Sequence, residues 1–137
     1  MLLKDLLPIN EPLKKLCGKR LKNFKVSREL AILLKKIDSE TEIYSSEYKK
    51  IIDEYAKHDE NGKIVMRDNN SFELKDPELA EKYMNEYRAL LNTDVGFIEP
   101  IIISDKDFVN SNDYPTAQEM NQLDCVINWI YDQQNNN

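Results

Sequence analysis

The chain has 137 residues, 41% of them hydrophobic and 32% charged, with a formal net charge of -6. This length and composition predict a single helical domain over residues 1–137, with a highly charged surface. Three glycines and five prolines disfavour a loop-rich β-sandwich. No apolar run approaches the ~20 residues that a membrane span needs. The opening MLLKDLLPIN carries Lys4, Asp5 and Pro8, and lacks the apolar core and small-residue cleavage site of a signal peptide. No membrane association is expected, and Cys17 and Cys125 read as buried reduced thiols. The cytoplasm is the expected compartment.

The charge is uneven. Residues 1–37 hold ten Lys or Arg against three acids, and the rest hold nine against twenty-two. That split makes the N-terminal quarter a candidate for an acidic partner. The alternative is that the two regions neutralise each other inside one fold.

In chain order, Asn10-Glu11-Pro12 predicts a helix start, with Asn as N-cap and Pro in the first turn. The helix is expected to run from Glu11 to Asn23, weakened at Gly18. Residues 1–23 thus form a basic N-terminal helix region. Ser27 is the next N-cap candidate, and a long helix over Arg28–Lys57 follows. Leu30, Ile37, Tyr44 and Ile51 interleave with Leu34, Thr41, Tyr48 and Tyr55 in an a/d pattern. The tyrosines and Thr41 make that seam less apolar than a zipper, so an intramolecular hairpin is favoured over an autonomous dimeric coil.

Asn61-Gly62 supplies a helix stop, and Lys63–Met66 with Phe72–Leu74 predict a small β-hairpin between helices. Asp76-Pro77-Glu78 opens a third helix, expected to reach Leu91. Val95–Ile103 is β-branched around Pro100, which limits it to an edge strand or an extended segment. A polar loop over 104–114 leads to Thr116 and Glu119, a capping box. The last helix is expected over Ala117–Tyr131, and residues 132–137 read as a frayed tail. The fold class is therefore mainly α, a long amphipathic helix packed in a hairpin or bundle.

Few residues point to catalysis. His58, the lone histidine, sits beside Asp59 and Glu60 and reads as solvated at a helix end. There is no Gly-rich phosphate loop, zinc spacing or nucleophile elbow. Asp105, Asp107 and Asp113 lack the glycine and terminal glutamate of a calcium loop. No catalytic residue, metal or cofactor is expected. The partner-binding candidates are Lys14, Lys15, Lys19, Arg20, Lys22 and Lys25. On a continuous helix Lys15, Lys19 and Lys22 would share one face. There they could meet an acidic protein patch or neutralise phosphates.

Several stretches resemble a family of small, uncharacterised phage- and prophage-associated proteins from viruses of Gram-positive bacteria. They are Val26-Ser27-Arg28-Glu29-Leu30, Asp53-Glu54-Tyr55-Ala56-Lys57, Asp59-Glu60-Asn61-Gly62, Leu74-Lys75-Asp76-Pro77-Glu78, Glu86-Tyr87, Leu90-Leu91-Asn92, Thr116-Ala117 and Leu123-Asp124. Residues 1–23 do not share the likeness. The family carries no established catalytic residues. The resemblance implies a non-enzymatic phage accessory protein acting by protein–protein binding in the host bacterial cytoplasm. It would inhibit or redirect a bacterial host or defence complex, or serve as a virion assembly chaperone. Its partner would be a bacterial or phage protein, and it would be a monomer or a homodimer. A nucleic-acid-binding regulator using the basic N-terminal helix is the further alternative.

Overall fold

A computed structural model of the chain describes residues 1–131, and the expected frayed tail lies outside the described residues. The chain is mostly helical. It divides into two compact units, one formed by Met1–Glu40 together with Asp94 onward, the other by Thr41–Thr93.

The first unit begins with a short helix α1 (Leu3–Leu6), a 3-10 turn (Leu7–Ile9) and helix α2 (Asn10–Cys17). Leu3, Leu6, Ile9, Leu13 and Leu16 recur every three or four residues and are all buried. That apolar stripe is what a helix lays against a core. Val26, Leu30, Leu33 and Ile37 of helix α3 (Phe24–Tyr55) are also buried in this unit. Asn23, rather than Ser27, caps α3: its Oδ1 accepts the Lys25 N–H at 3.0 Å, and Ser27 lies inside the helix. Asn10 is likewise not a cap. It opens α2, is 8% exposed, and donates from Nδ2 to Asp38 Oδ1 at 2.9 Å.

α2 stops at Cys17, six residues short of the expected end, because Gly18 takes the C-cap and its N–H closes onto Lys14 O and Lys15 O. The chain then bends and pairs with residues 107–109. Lys22 N–H donates to Asp107 O at 2.7 Å and Val109 N–H to Arg20 O at 3.3 Å, around a Leu21–Phe108 bridge.

Strand β1 (Ile101–Ser104) starts directly after Pro100 and pairs in parallel with β2 (Ile127–Ile130), in register from Ile101 with Ile127 to Ser104 with Ile130. A parallel pair needs a long crossover. It is supplied by two 3-10 turns (Asp105–Asp107, Ser111–Asp113) and helix α5 (Ala117–Leu123). The expected helix over Ala117–Tyr131 is thus cut at Leu123. Val126, Ile127, Trp129 and Ile130 are β-branched or aromatic, and pairing with β1 outweighed their helical spacing. The Thr116 cap at its start does form: Glu119 N–H donates to Thr116 Oγ1 at 3.2 Å, and that hydroxyl donates to Glu119 Oε1 at 3.2 Å.

The second unit holds the C-terminal half of α3 and helix α4 (Ala80–Leu91), which follows a 3-10 turn (Pro77–Leu79) capped by Asp76 Oδ1 on Glu78 N–H. Tyr44 Oη lies 3.4 Å from Tyr87 Oη, and Tyr48 Oη 3.4 Å from Tyr83 Oη. The numbers run in opposite senses, so the two helices are antiparallel. Tyr44 stacks on Tyr48 and Tyr83 on Tyr87, with ring centroids 5.7 Å and 6.1 Å apart.

A two-strand hairpin over 63–74 does not form as such, and the paired strands among the described residues are the parallel ones. Instead three segments close a triangle. Lys57 N–H donates to Glu73 O (2.7 Å), Glu73 N–H to Val65 O (2.9 Å), and Val65 N–H to Lys57 O (2.8 Å). Each segment must serve both others, so each pairing ends after one antiparallel bridge: Ala56–Leu74, His58–Ile64 and Met66–Phe72. Gly62, at φ 77°, takes the left-handed turn between the first two segments, a conformation costly for residues with a Cβ.

Candidate partner-binding surface

The end of α2 at Cys17 separates the six basic candidates into two groups. Lys14 lies 3.8 Å from Glu11 and 3.9 Å from Asp38, and Lys15 lies 3.4 Å from Glu119. Those two are committed inside the first unit. Burial pushes the Glu119 carboxyl up, but Lys15 and the Thr116 hydroxyl and N–H outweigh it and hold the pKa below the ordinary glutamate value. Lys25 pairs with Glu29 at 3.9 Å.

Lys19, Arg20 and Lys22 lie beyond the helix and enter no ion pair among the described residues. The expected single helical face of Lys15, Lys19 and Lys22 is therefore absent. In its place Leu21 is half-buried at its bridge to Phe108, while Arg20 and Lys22 on either side are exposed. Phe108 anchors this stretch from a loop read as polar, and the lone apolar pair Phe108-Val109 was its only signal.

Other candidate groups have local employment. His58 Nε2 is 3.9 Å from Asp53 Oδ1 beside the end of α3. Asp107 Oδ2 accepts the Ser104 N–H at 2.8 Å, and Asp105 Oδ1 accepts the Ser104 hydroxyl at 3.0 Å. The thiols lie in different places. Cys17 is half-buried with Sγ 3.7 Å from Leu30 O, and burial, then Asp38, raises its pKa. Cys125, expected inside a helix, is exposed in the turn before β2, and partial desolvation with Asp124 raises its pKa.

Concavities occur in both units. In the first unit a groove of about 610 Å³ runs between the start of α3 and residues 97–102. Phe97 (83% exposed), Ile102 (56%) and Ile32 (52%) stand at its walls, and Phe24 (80%) lies beside it in sequence. In the second unit a concavity of about 670 Å³ is lined by Tyr48, Ile52, Phe72, Tyr83 and Met84, with Arg67 as its charged member. The Tyr55 hydroxyl of that unit is buried and faces the Glu86 carboxylate. Burial, with the Glu86 and Glu54 carboxylates nearby, pushes its pKa up to about 12.

Among the described residues no helix is long and apolar enough to cross a membrane. No family model, curated protein or solved structure matches the chain.

Proposed function

We propose that this chain is a non-enzymatic accessory protein of phage origin that grips an acidic surface of another protein in the host bacterial cytoplasm. It would thereby inhibit or redirect a host or defence complex. The observation that carries the reading is the stretch Lys19-Arg20-Leu21-Lys22. Its three cations are crowded onto four residues and enter no ion pair among the described residues. That concentration of positive charge without a facing carboxylate supports an acidic external partner. The phage assignment rests on the family resemblance from Phe24 onward. In this reading the second unit is a helical hairpin, a scaffold held by its tyrosine ladder, without a role in chemistry.

Tagged wild-type chain and a Lys19→Glu, Arg20→Glu, Lys22→Glu variant, used as baits in host lysate, test it. The expected result is a host protein held by the wild type, lost by the variant and released by salt. Equal retention by both baits refutes the assignment of these residues.

The same free cations support nucleic-acid binding as the second reading. It expects affinity for duplex DNA to fall with salt at a log–log slope of about -0.9 for each phosphate contacted. Absence of binding at low salt removes it.

A further inference from the structure

Among the described residues β1 pairs along one edge only, and the backbone shows which groups lie on the other. Ile101 N–H donates to Val126 O at 2.9 Å, and Ile101 is in register with Ile127. In a parallel ladder alternate residues turn their N–H and C=O to the same neighbour. Ile101 and Ile103 therefore face β2, and the N–H and C=O of Ile102 point the other way. Pro100 has no N–H to offer, and the Ser104 N–H is taken by Asp107 Oδ2. Ile102 is thus the residue of β1 with both groups open at that edge.

The groove of the first unit lies on this edge. It is lined by residues 97–102 and by α3, and by none of β2. Its strand wall carries Glu99 and its helix wall Lys36, and neither enters an ion pair among the described residues. The groove's other two charges, Lys25 and Glu29, pair with each other. What remains open is one residue with a free donor and acceptor, one cation and one anion on opposite walls, and the exposed side chains of Ile102, Phe97 and Ile32.

That set is complementary to itself. We propose that the groove is closed by a second copy of this chain, the two β1 strands pairing antiparallel about a two-fold axis at Ile102. In such a pair Ile102 N–H donates to the partner copy's Ile102 C=O, and the reverse, which is the hydrogen-bonded pair of an antiparallel ladder. A two-fold contact uses the same patch on both copies, so a Lys36–Glu99 pair formed across it occurs twice. The two open two-stranded sheets become one of four strands, and the open edge of β1, a liability for any sheet, is covered. This proposal does not depend on the basic stretch as partner site.

Sedimentation equilibrium over roughly 1 μM to 1 mM tests it. A monomer–dimer equilibrium is expected. Ile102→Asp, at an exposed position, should weaken it at least tenfold, on the order expected for a charge placed at an interface centre. Lys36→Glu and Glu99→Lys alone should each weaken it by roughly tenfold, since every substitution acts twice in a two-fold contact. The double variant should return to within about threefold of wild type. Circular dichroism confirms that each variant keeps the helix content of the wild type. The Lys19→Glu, Arg20→Glu, Lys22→Glu chain should dimerise normally, which separates this result from the partner test. A monomer throughout, a dimer indifferent to all three changes, or a double variant no tighter than the singles overturns the proposal. So does a different protein held at this groove by a monomeric chain.

Discussion

Replacing Leu6 by alanine tests whether the first residues of the chain build the core of the first unit. Leu6 is 0% exposed, on a helix of four residues whose buried members are Leu3 and Leu6. Truncating a fully enclosed leucine loses its transfer free energy and leaves a cavity, together about 2–5 kcal/mol. A four-residue helix settles into part of that space, so the expected cost is about 3 kcal/mol, toward the middle of the range. Against a total stability of about 5–15 kcal/mol, this is a large fraction. Phe24→Ala is the control: a larger apolar side chain, but 80% exposed, and expected to change stability by less than about 0.5 kcal/mol. The assay is urea unfolding followed by the fluorescence of Trp129, the one tryptophan, which stands on β2 in the same unit. The midpoint should fall for Leu6→Ala with an unchanged slope. A loss below about 1 kcal/mol, or an equal loss for Phe24→Ala, refutes the claim that burial at the N-terminus holds this unit.

Alkaline titration reads the second unit. Tyr55 is pushed up to about 12 from its ordinary 10.0, first by burial, and Tyr44 and Tyr83 are raised first by burial and then by the Tyr87 and Tyr48 hydroxyls they face. The folded state holds these protons more tightly than the unfolded chain, so their stabilisation is complete below pH 10.0 and is lost as pH rises through about 12. Tyrosinate absorbance should rise in two stages, the second accompanied by loss of helix. A single rise at ordinary tyrosine pH with the helix intact would contradict the buried ladder. Thr116→Ala removes the cap on Glu119 N–H and should cost about 1 kcal/mol in the Trp129-monitored urea transition. An unchanged midpoint would show that the cap contributes nothing.

The elements that local chemistry fixes were legible in the residues. The long helix, the Asp76-Pro77-Glu78 start and the Thr116 cap each follow from periodicity or a capping oxygen, within a few residues of chain. Residues 95–103 read as an edge strand or extended segment around Pro100, and the strand occupies only Ile101–Ser104. The buried stripe Leu3, Leu6, Ile9, Leu13 and Leu16 was also present as helical spacing, but Pro8 and the turn at Leu7–Ile9 masked it. On α3 the heptad placed Leu34 on the seam, whereas Val26 and Leu33 are buried and Leu34 only half so. A straight helix follows a period of 3.6 rather than 3.5, so a strict heptad drifts off the side that is buried.

What distant residues decide was not legible. Val126–Ile130 fits a helical period and a strand alike, and only β1, more than twenty residues earlier, selects the strand. Residues 57, 65 and 73 close a triangle of hydrogen bonds because the fold brings three segments to one point, and no spacing rule announces it. The candidate site shares this division. Sequence located the cations, but whether each is committed depended on carboxylates reached through the fold, Asp38 and Glu119 for Lys14 and Lys15, and none for Lys19, Arg20 and Lys22. Local preferences involve neighbours along the chain and can be read there; pairing, burial and charge neutralisation involve neighbours in space, which exist only once the chain has folded.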